Sequence, residues 1–325
     1  MKNLNCRNCG APMRLDASGM TAFCRYCKTQ YVLNHEDTDY FQWFYQQMGH
    51  FLSLNADERE RRQQTDALWN SAEEVSFACV DGSDISVRYL YQYRIKDTVV
   101  YIARRNIIFH FLKHWEQYTH DCRRAAMMLD YPSADTRQLS DFFPHIVGGY
   151  ALTDGTGLLI LQKNETEYPL CLFGCLPGRH VAWIVSRMEN LCCVLEYSRL
   201  VHPSFGLDTL YIDPLTHQAC LYGHFWDVVK HNTPSVDGQT VYTTRDNLIA
   251  LRHTAAQLLG YPSAGQVKAN DDVPPAFADF LNSSPKATAY DDFAFWDEML
   301  IKAYGERKFI RMQADDATIF GKREE

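Results

Sequence analysis

Apolar residues recur at helical spacing between Gly178 and Leu200, where Val181, Ile184, Val185, Met188, Leu191, Cys192 and Leu195 fall on one stripe. That period predicts an amphipathic helix with one face in a core. A second stripe, Leu248, Leu251, Ala255, Leu258 and Leu259, predicts a helix in TRDNLIALRHTAAQLLG. DVPPAFADFLNSS and AYDDFAFWDEMLIKAYGERKF also read as helices, and the charged DERERRQQTDALWNSAEE as a helix with a solvated face. Upstream the pattern changes. VRYLYQYR and DTVVYIARR flank Ile95-Lys96-Asp97 and predict a hairpin, and two further strands flank Thr153-Asp154-Gly155. Between those pairs, IIFHFLKHWEQYTHDCRRAAMMLDYP is expected to be helical until Pro132 stops it. LVHPSFGLDTLYID and QACLYGHF read as loop, strand, turn and strand. Strands early and helices late predict an α+β body in two lobes.

The chain has 325 residues, which fits roughly two domains. A hydrophobic share of 46% is that of a folded globular protein and excludes a disordered chain. No run of about 18 apolar residues occurs, so no membrane partner is expected. The opening MKNLNCRNCG is polar and lacks an apolar leader, so the expected location is cytoplasmic.

Charge and cysteine are both concentrated at the start. Lys2, Arg7, Arg14, Arg25 and Lys28 against Asp16 give residues 1–34 a charge of +4, within a chain of net charge −8. An acidic body is a poor match for a polyanion, although the basic head suits phosphate contact. Of eleven cysteines, Cys6, Cys9, Cys24 and Cys27 form two C-x2-C pairs separated by fourteen residues. Four thiolates converging on one ion meet the tetrahedral preference of a closed structural zinc site, so zinc is the expected cofactor and these four its ligands. Gly10 supplies a permissive backbone after the first pair, and MRLDASGMTAF reads as a hairpin turning near Ala17-Ser18-Gly19. So small a unit lacks a sufficient core of its own and gains stability from metal. Cys79, Cys122, Cys171, Cys175, Cys192, Cys193 and Cys220 sit among apolar neighbours and are expected to pack as small hydrophobes. An odd total without a secretory leader argues against a disulfide framework.

The expected organisation is a zinc ribbon over residues 1–34, a helical connector over 35–74, and two lobes over 75–177 and 178–325. In the connector Tyr40, Trp43, Phe44, Met48, Phe51 and Leu54 lie near helical spacing, as a docking stripe for the ribbon would.

This order of elements resembles the protein-kinase fold, a small sheet with one helix followed by a helical lobe. The passage that carries the resemblance is LEYSRLVHPSFGLDTLYID followed by ACLYGHF, across roughly residues 75–310. It is similar to the end of the long helix of the second lobe, the catalytic loop HRDxxxxN, a strand, a turn and the DFG metal loop. The resemblance places His202 on the family histidine, Pro203 on its Arg, Ser204 on the catalytic Asp and Thr209 on the metal-binding Asn. Leu221-Tyr222-Gly223 falls where DFG is expected. His202 then serves as a packing post. Asp246 resembles the buried Asp that holds the catalytic-loop backbone, or else is a helix cap. The strand lysine of the family is expected near Ile102 or Ala103, with Arg104 and Arg105 just beyond. Glu116 is the candidate for the helix carboxylate that pairs with it, or a surface acid. The glycine-rich loop is expected near CVDGSDIS, where only Gly82 stands.

These departures imply lost chemistry. Kinases orient the nucleophile with an Asp and hold Mg²⁺ with an Asp and an Asn. Serine is a poor proton acceptor, and leucine offers Mg²⁺ no oxygen. The implied protein is a pseudokinase, not an enzyme, acting as an adaptor or regulatory scaffold for a protein partner. Two other readings remain: a divergent nucleotide-binding kinase or transferase, and a nucleic-acid-associated factor using the basic ribbon. GxSxG, HExxH and GxxxxGK[ST] are absent. His110, His114 and His120 are expected on one helix as surface residues.

Overall fold

The computed structural model describes residues 13–15, 21–24, 30–32, 56–133, 135–235, 238–306, 310 and 312–321. The chain divides into two compact units, Met1–Ala67 and Leu68–Glu325.

In the first unit β1 (Met13–Leu15), β2 (Thr21–Cys24) and β3 (Gln30–Val32) form an antiparallel sheet in that order. Met13 faces Cys24 across the first pair, so the expected hairpin forms. Cys24 is fully buried. Cys6, Cys9 and Cys27, the other expected zinc ligands, lie outside the described residues, as does the aromatic stripe of the connector.

Helix α1 (Ala56–Asn70) leads into the second unit. There β4 (Glu73–Ala78), β5 (Asp84–Ile95), β6 (Thr98–Ala103) and β7 (Asn106–Phe111) run as successive antiparallel hairpins. Helix α2 (Trp115–Met127) follows, then β8 (His145–Ala151) and β9 (Gly157–Gln162). The six-stranded sheet has the order β4-β5-β6-β7-β9-β8, with β9 returning to pair with β7. The stretch Ile107–Phe111, expected to be helical, therefore belongs to a central strand. Its Ile107, Phe109 and Phe111 join the main core, while Ile108 packs into a second core with Phe77, Tyr101 and Leu158 on the opposite face. A run buried on both faces shows no alternation and merges with the helix behind it. This corrects the histidines too. His110 is on β7, with Nε2 2.9 Å from Thr156 Oγ1, and His114 precedes α2 in a left-handed conformation. Of the three, only His120 lies on the helix.

After β10 (Tyr168–Pro169) the chain becomes mainly helical. It continues through α3 (Gly178–Tyr197), β11 (Leu200–Val201), β12 (Leu210–Asp213), β13 (Gln218–Leu221) and β14 (Val229–Lys230). β15 (Thr233–Pro234) and β16 (Val241–Tyr242) form a small hairpin before α4 (Thr244–Leu258), α5 (Pro275–Asn282) and α6 (Ala289–Tyr304). A short α7 (Asp316–Phe320) ends the described chain. The whole predicted stripe of α3 is buried, each such side chain contributing about 1.5–3 kcal/mol. The result is the expected α+β body in two lobes. Among the described residues no helix is long and apolar enough to cross a membrane. Of the seven cysteines expected in the core, Cys79, Cys122, Cys192 and Cys220 are buried, Cys171 and Cys193 are half-buried and Cys175 is exposed.

Candidate functional site

The helix α3 ends at Tyr197, and Arg199 takes a left-handed turn (φ 54°) before β11. Pro203 disfavours helical backbone at His202 and so keeps the loop from continuing α3. His202 is buried, and its Nε2 lies 3.0 Å from the carbonyl oxygen of Gly223. Nε2 must therefore carry the proton and donate. Burial, aided by nearby His224, pushes the imidazole down to about 4, so the ring is neutral. It is the packing post expected.

The backbone tether comes from a neighbour of the expected residue. Asp246 Oδ2 accepts from the Thr243 N–H at 2.7 Å as the third residue of α4, completing a capping box. Asn247, fully buried, holds the loop instead: its Oδ1 accepts from His202 N–H at 2.9 Å and its Nδ2 donates to Leu200 O at 3.1 Å. Asn247 lies in phase with Leu251 and Ala255, and a polar residue on an apolar stripe was the signal available in the sequence.

The residues at the family's reactive positions are engaged in packing. Thr209 is buried, and its Oγ1 accepts from Gly206 N–H at 3.0 Å and lies 3.2 Å from Ser204 O. Leu221 is fully buried at the end of β13, opposite Leu210. Ser204 Oγ lies 3.3 Å from Asp227 Oδ2. Gly223 runs so close to the loop that a Cβ there would meet Thr209 Cα at 2.7 Å and Asp208 O at 2.8 Å. Close approach, rather than a tight turn, is what requires glycine.

The sheet side of the cleft differs from the expectation. The strand that leads into α2 is β7, so a strand lysine belongs there and not near Ile102 or Ala103, which end β6. The core-facing positions of β7 are Ile107, Phe109 and Phe111. Phe109 and Phe111 both pack edge-on against Trp226, at 5.0 and 4.9 Å. Arg104 and Arg105 sit in the β6–β7 turn and both bind Glu165. Glu116 is exposed on the first turn of α2, a surface acid; the buried face of that helix carries Thr119, Cys122 and Ala125. Gly82 turns the outer β4–β5 hairpin. The hairpin two strands before α2 is β5–β6, and it turns on Lys96 and Asp97 without glycine.

Tyrosines cross the space between the lobes. The Tyr93 hydroxyl of β5 lies 3.4 Å from the Tyr211 hydroxyl of β12, and the Tyr211 ring packs 5.4 Å from Tyr222. Tyr222 donates to Glu167 Oε2 at 3.0 Å. Glu167 also accepts from the Asn164 N–H and side-chain amide, at 2.9 and 2.6 Å. Beside it Lys163 is buried and donates to Arg104 O and Asn164 O; burial lowers its pKa to about 8 against the pull of Glu167, Asp316, Glu165 and Asp213. The connection between the lobes is thus a closed polar knot.

Asp208 and Asp227 are the carboxylates near the loop. Burial lowers the pKa of His224, which lies 3.8 Å from Asp227. Among the described residues no three His, Cys, Asp or Glu side chains converge on a point as metal ligands do.

No protein-family model and no curated protein sequence matches the chain. Its structure is similar to the ROP18 kinase domain solved in complex with AMP-PNP and sucrose, at 14% identity and a TM-score of 0.50, covering 78% of this chain and 91% of that one. It is similar as well to a Toxoplasma gondii specific rhoptry antigen kinase domain, at 10% identity and a TM-score of 0.50, covering 75% and 91%. At such identities the likeness concerns the fold: the body is protein-kinase-like.

Proposed function

We propose that the chain is a catalytically inactive kinase-like protein that works by binding another protein, as an adaptor or regulatory scaffold. The observation that carries this reading is the engagement of Leu221 and Thr209 in core and loop contacts where metal-binding side chains are needed. Phosphoryl transfer depends on positioning and on charge neutralised by Mg²⁺, which requires oxygen ligands. Leucine has none, and the threonine hydroxyl is spent on its own loop. The Tyr93–Tyr211 contact fills space between the lobes, and the core-facing positions of β7 hold no cation for phosphate. A body that keeps the fold while replacing its reacting groups presents surface as its useful product.

The N-terminal unit is proposed as a zinc ribbon in which Cys6, Cys9, Cys24 and Cys27 hold one structural ion. The burial of Cys24 at the end of β2 fits a ligand facing inward. Zinc there supplies folding stability to a small sheet and takes no part in a reaction.

Calorimetric titration with ATP, with and without Mg²⁺, beside a radiolabel transfer assay, tests the inactive reading. The expected result is no transfer and no Mg²⁺-dependent affinity. Stoichiometric Mg²⁺-dependent binding with transfer that disappears in Asp227→Asn would overturn it and favour a divergent transferase.

A further inference from the structure

The short helix α7 is built by its own sequence. Asp315 Oδ1 accepts from Thr318 N–H at 2.8 Å, and Thr318 Oγ1 accepts from Asp315 N–H at 2.9 Å, a reciprocal cap around one turn. Asp316 and Phe320, four residues apart, share a face. Asp316 is buried and accepts from Trp69 Nε1 at 2.6 Å and from the Tyr168 hydroxyl at 2.9 Å. Phe320 lies stacked 6.3 Å from Tyr91 and tilted 5.5 Å from Tyr168. Trp69, Tyr91 and Tyr168 come from α1, β5 and the connection between the lobes.

This groove has the features of a recognition site. Two buried donors converge on one carboxylate, and two aromatic rings receive a third. The described residues between Tyr304 and Asp315 contain no helix or strand. If the turn left without replacement, the Trp69 and Tyr168 donors would lose their acceptor, at about 1–3 kcal/mol each. Exchange for a like ligand avoids that cost.

We propose that the Trp69–Tyr91–Tyr168 groove is a peptide-docking site for a helical turn carrying Asp with an aromatic residue four positions on, and that residues 315–320 occupy it in cis until a partner's segment of that chemistry replaces them. A tethered segment competes at an effective concentration on the order of millimolar, so the native chain holds its own turn against weak ligands.

The test uses the full chain and a fluorescein-labelled peptide of residues 313–321, read by anisotropy. The double variant Asp316→Ala/Phe320→Ala is expected to bind this peptide at least tenfold more tightly than the native chain. Peptides with Asp316→Ala or Phe320→Ala should lose that binding, and Trp69→Phe added to the double variant should weaken it at least tenfold. A cooperatively folded double variant that ignores the peptide, or binds the altered peptides equally well, would overturn the proposal. So would loss of cooperative folding in the milder variant Phe320→Ala alone, because the turn would then belong to the core.

Discussion

Asn247 holds the chain on both sides of Val201, accepting from the His202 amide at 2.9 Å and donating to the Leu200 carbonyl at 3.1 Å. The start of α4 thereby fixes the exit of β11 and the entry to the loop that carries Ser204 and Thr209. Both bonds are buried, so truncation leaves a donor and an acceptor without partners. Asn247→Ala is expected to cost about 3 kcal/mol, whereas Asp246→Ala removes only a cap and should cost about 1 kcal/mol. Urea unfolding of the two variants separates them; equal costs would deny Asn247 its tethering role.

For Asp246 the sequence left tether and cap open; it is the cap, and the tether is the next residue, Asn247. The cap and the tether are adjacent, and both are short polar residues at a helix start. Only the phase of the apolar stripe distinguishes them. The long stripe of α3 was legible because its apolar residues keep helical phase along its length, and the hairpin at Lys96 because β5 alternates between more and less buried positions up to the turn. Strand β7 was not legible, since Ile107 through Phe111 has buried residues on both faces and lies directly before a helix. Nor was α7, since five residues show no period, although Asp315 and Thr318 spell its cap. The filling of the cleft depends on Tyr93 and Tyr211, 118 residues apart, a pairing that only the fold makes.

The neutral, buried His202 couples stability to acid. Its folded pKa of about 4 lies below the ordinary value of 6.5, so between those values the unfolded chain binds a proton that the folded one refuses. Stability falls as pH drops through that window, by about 3 kcal/mol in total for this group. His202→Gln retains a donor for Gly223 O and removes the titration. The gap in unfolding free energy between native chain and variant should therefore shift in favour of the variant from pH 7 to pH 4. A gap independent of pH would show that His202 is not the group responsible.

Zinc loss is expected to act on one unit. Elemental analysis should find about one zinc per chain, and chelation or Cys24→Ser should release it and melt the first unit, while the transition of residues 68–325 stays in place because that unit has its own core. Four native thiols that titrate freely, with no metal bound, would remove the ribbon.

The most consequential buried charges lie where α3, α4 and α6 meet. Arg252 binds Asp292 through two hydrogen bonds, at 2.7 and 2.9 Å, and both residues are buried. Asp292 also accepts from the Lys286 amide at 2.8 Å. Asp292→Ala leaves the guanidinium buried without its counter-ion and should cost about 3–5 kcal/mol. Glu189 of α3 lies beside this pair, fully buried; burial first, then the charge of Asp292, raises its pKa well above the ordinary carboxylate range. A carboxyl raised in the folded state stabilises most below its unfolded pKa, and that contribution is lost as pH rises toward the folded value. Glu189→Gln removes the titration while keeping the shape. Its advantage over the native chain should therefore grow with pH above the unfolded carboxylate value, by up to about 1.4 kcal/mol per pH unit. Thermal unfolding at pH 5 and pH 8 reads this directly. A Glu189→Gln chain that is no better at pH 8 than at pH 5 would mean that Arg252 neutralises both carboxylates, and the three residues would then act as an ion triad rather than a pair beside a protonated acid.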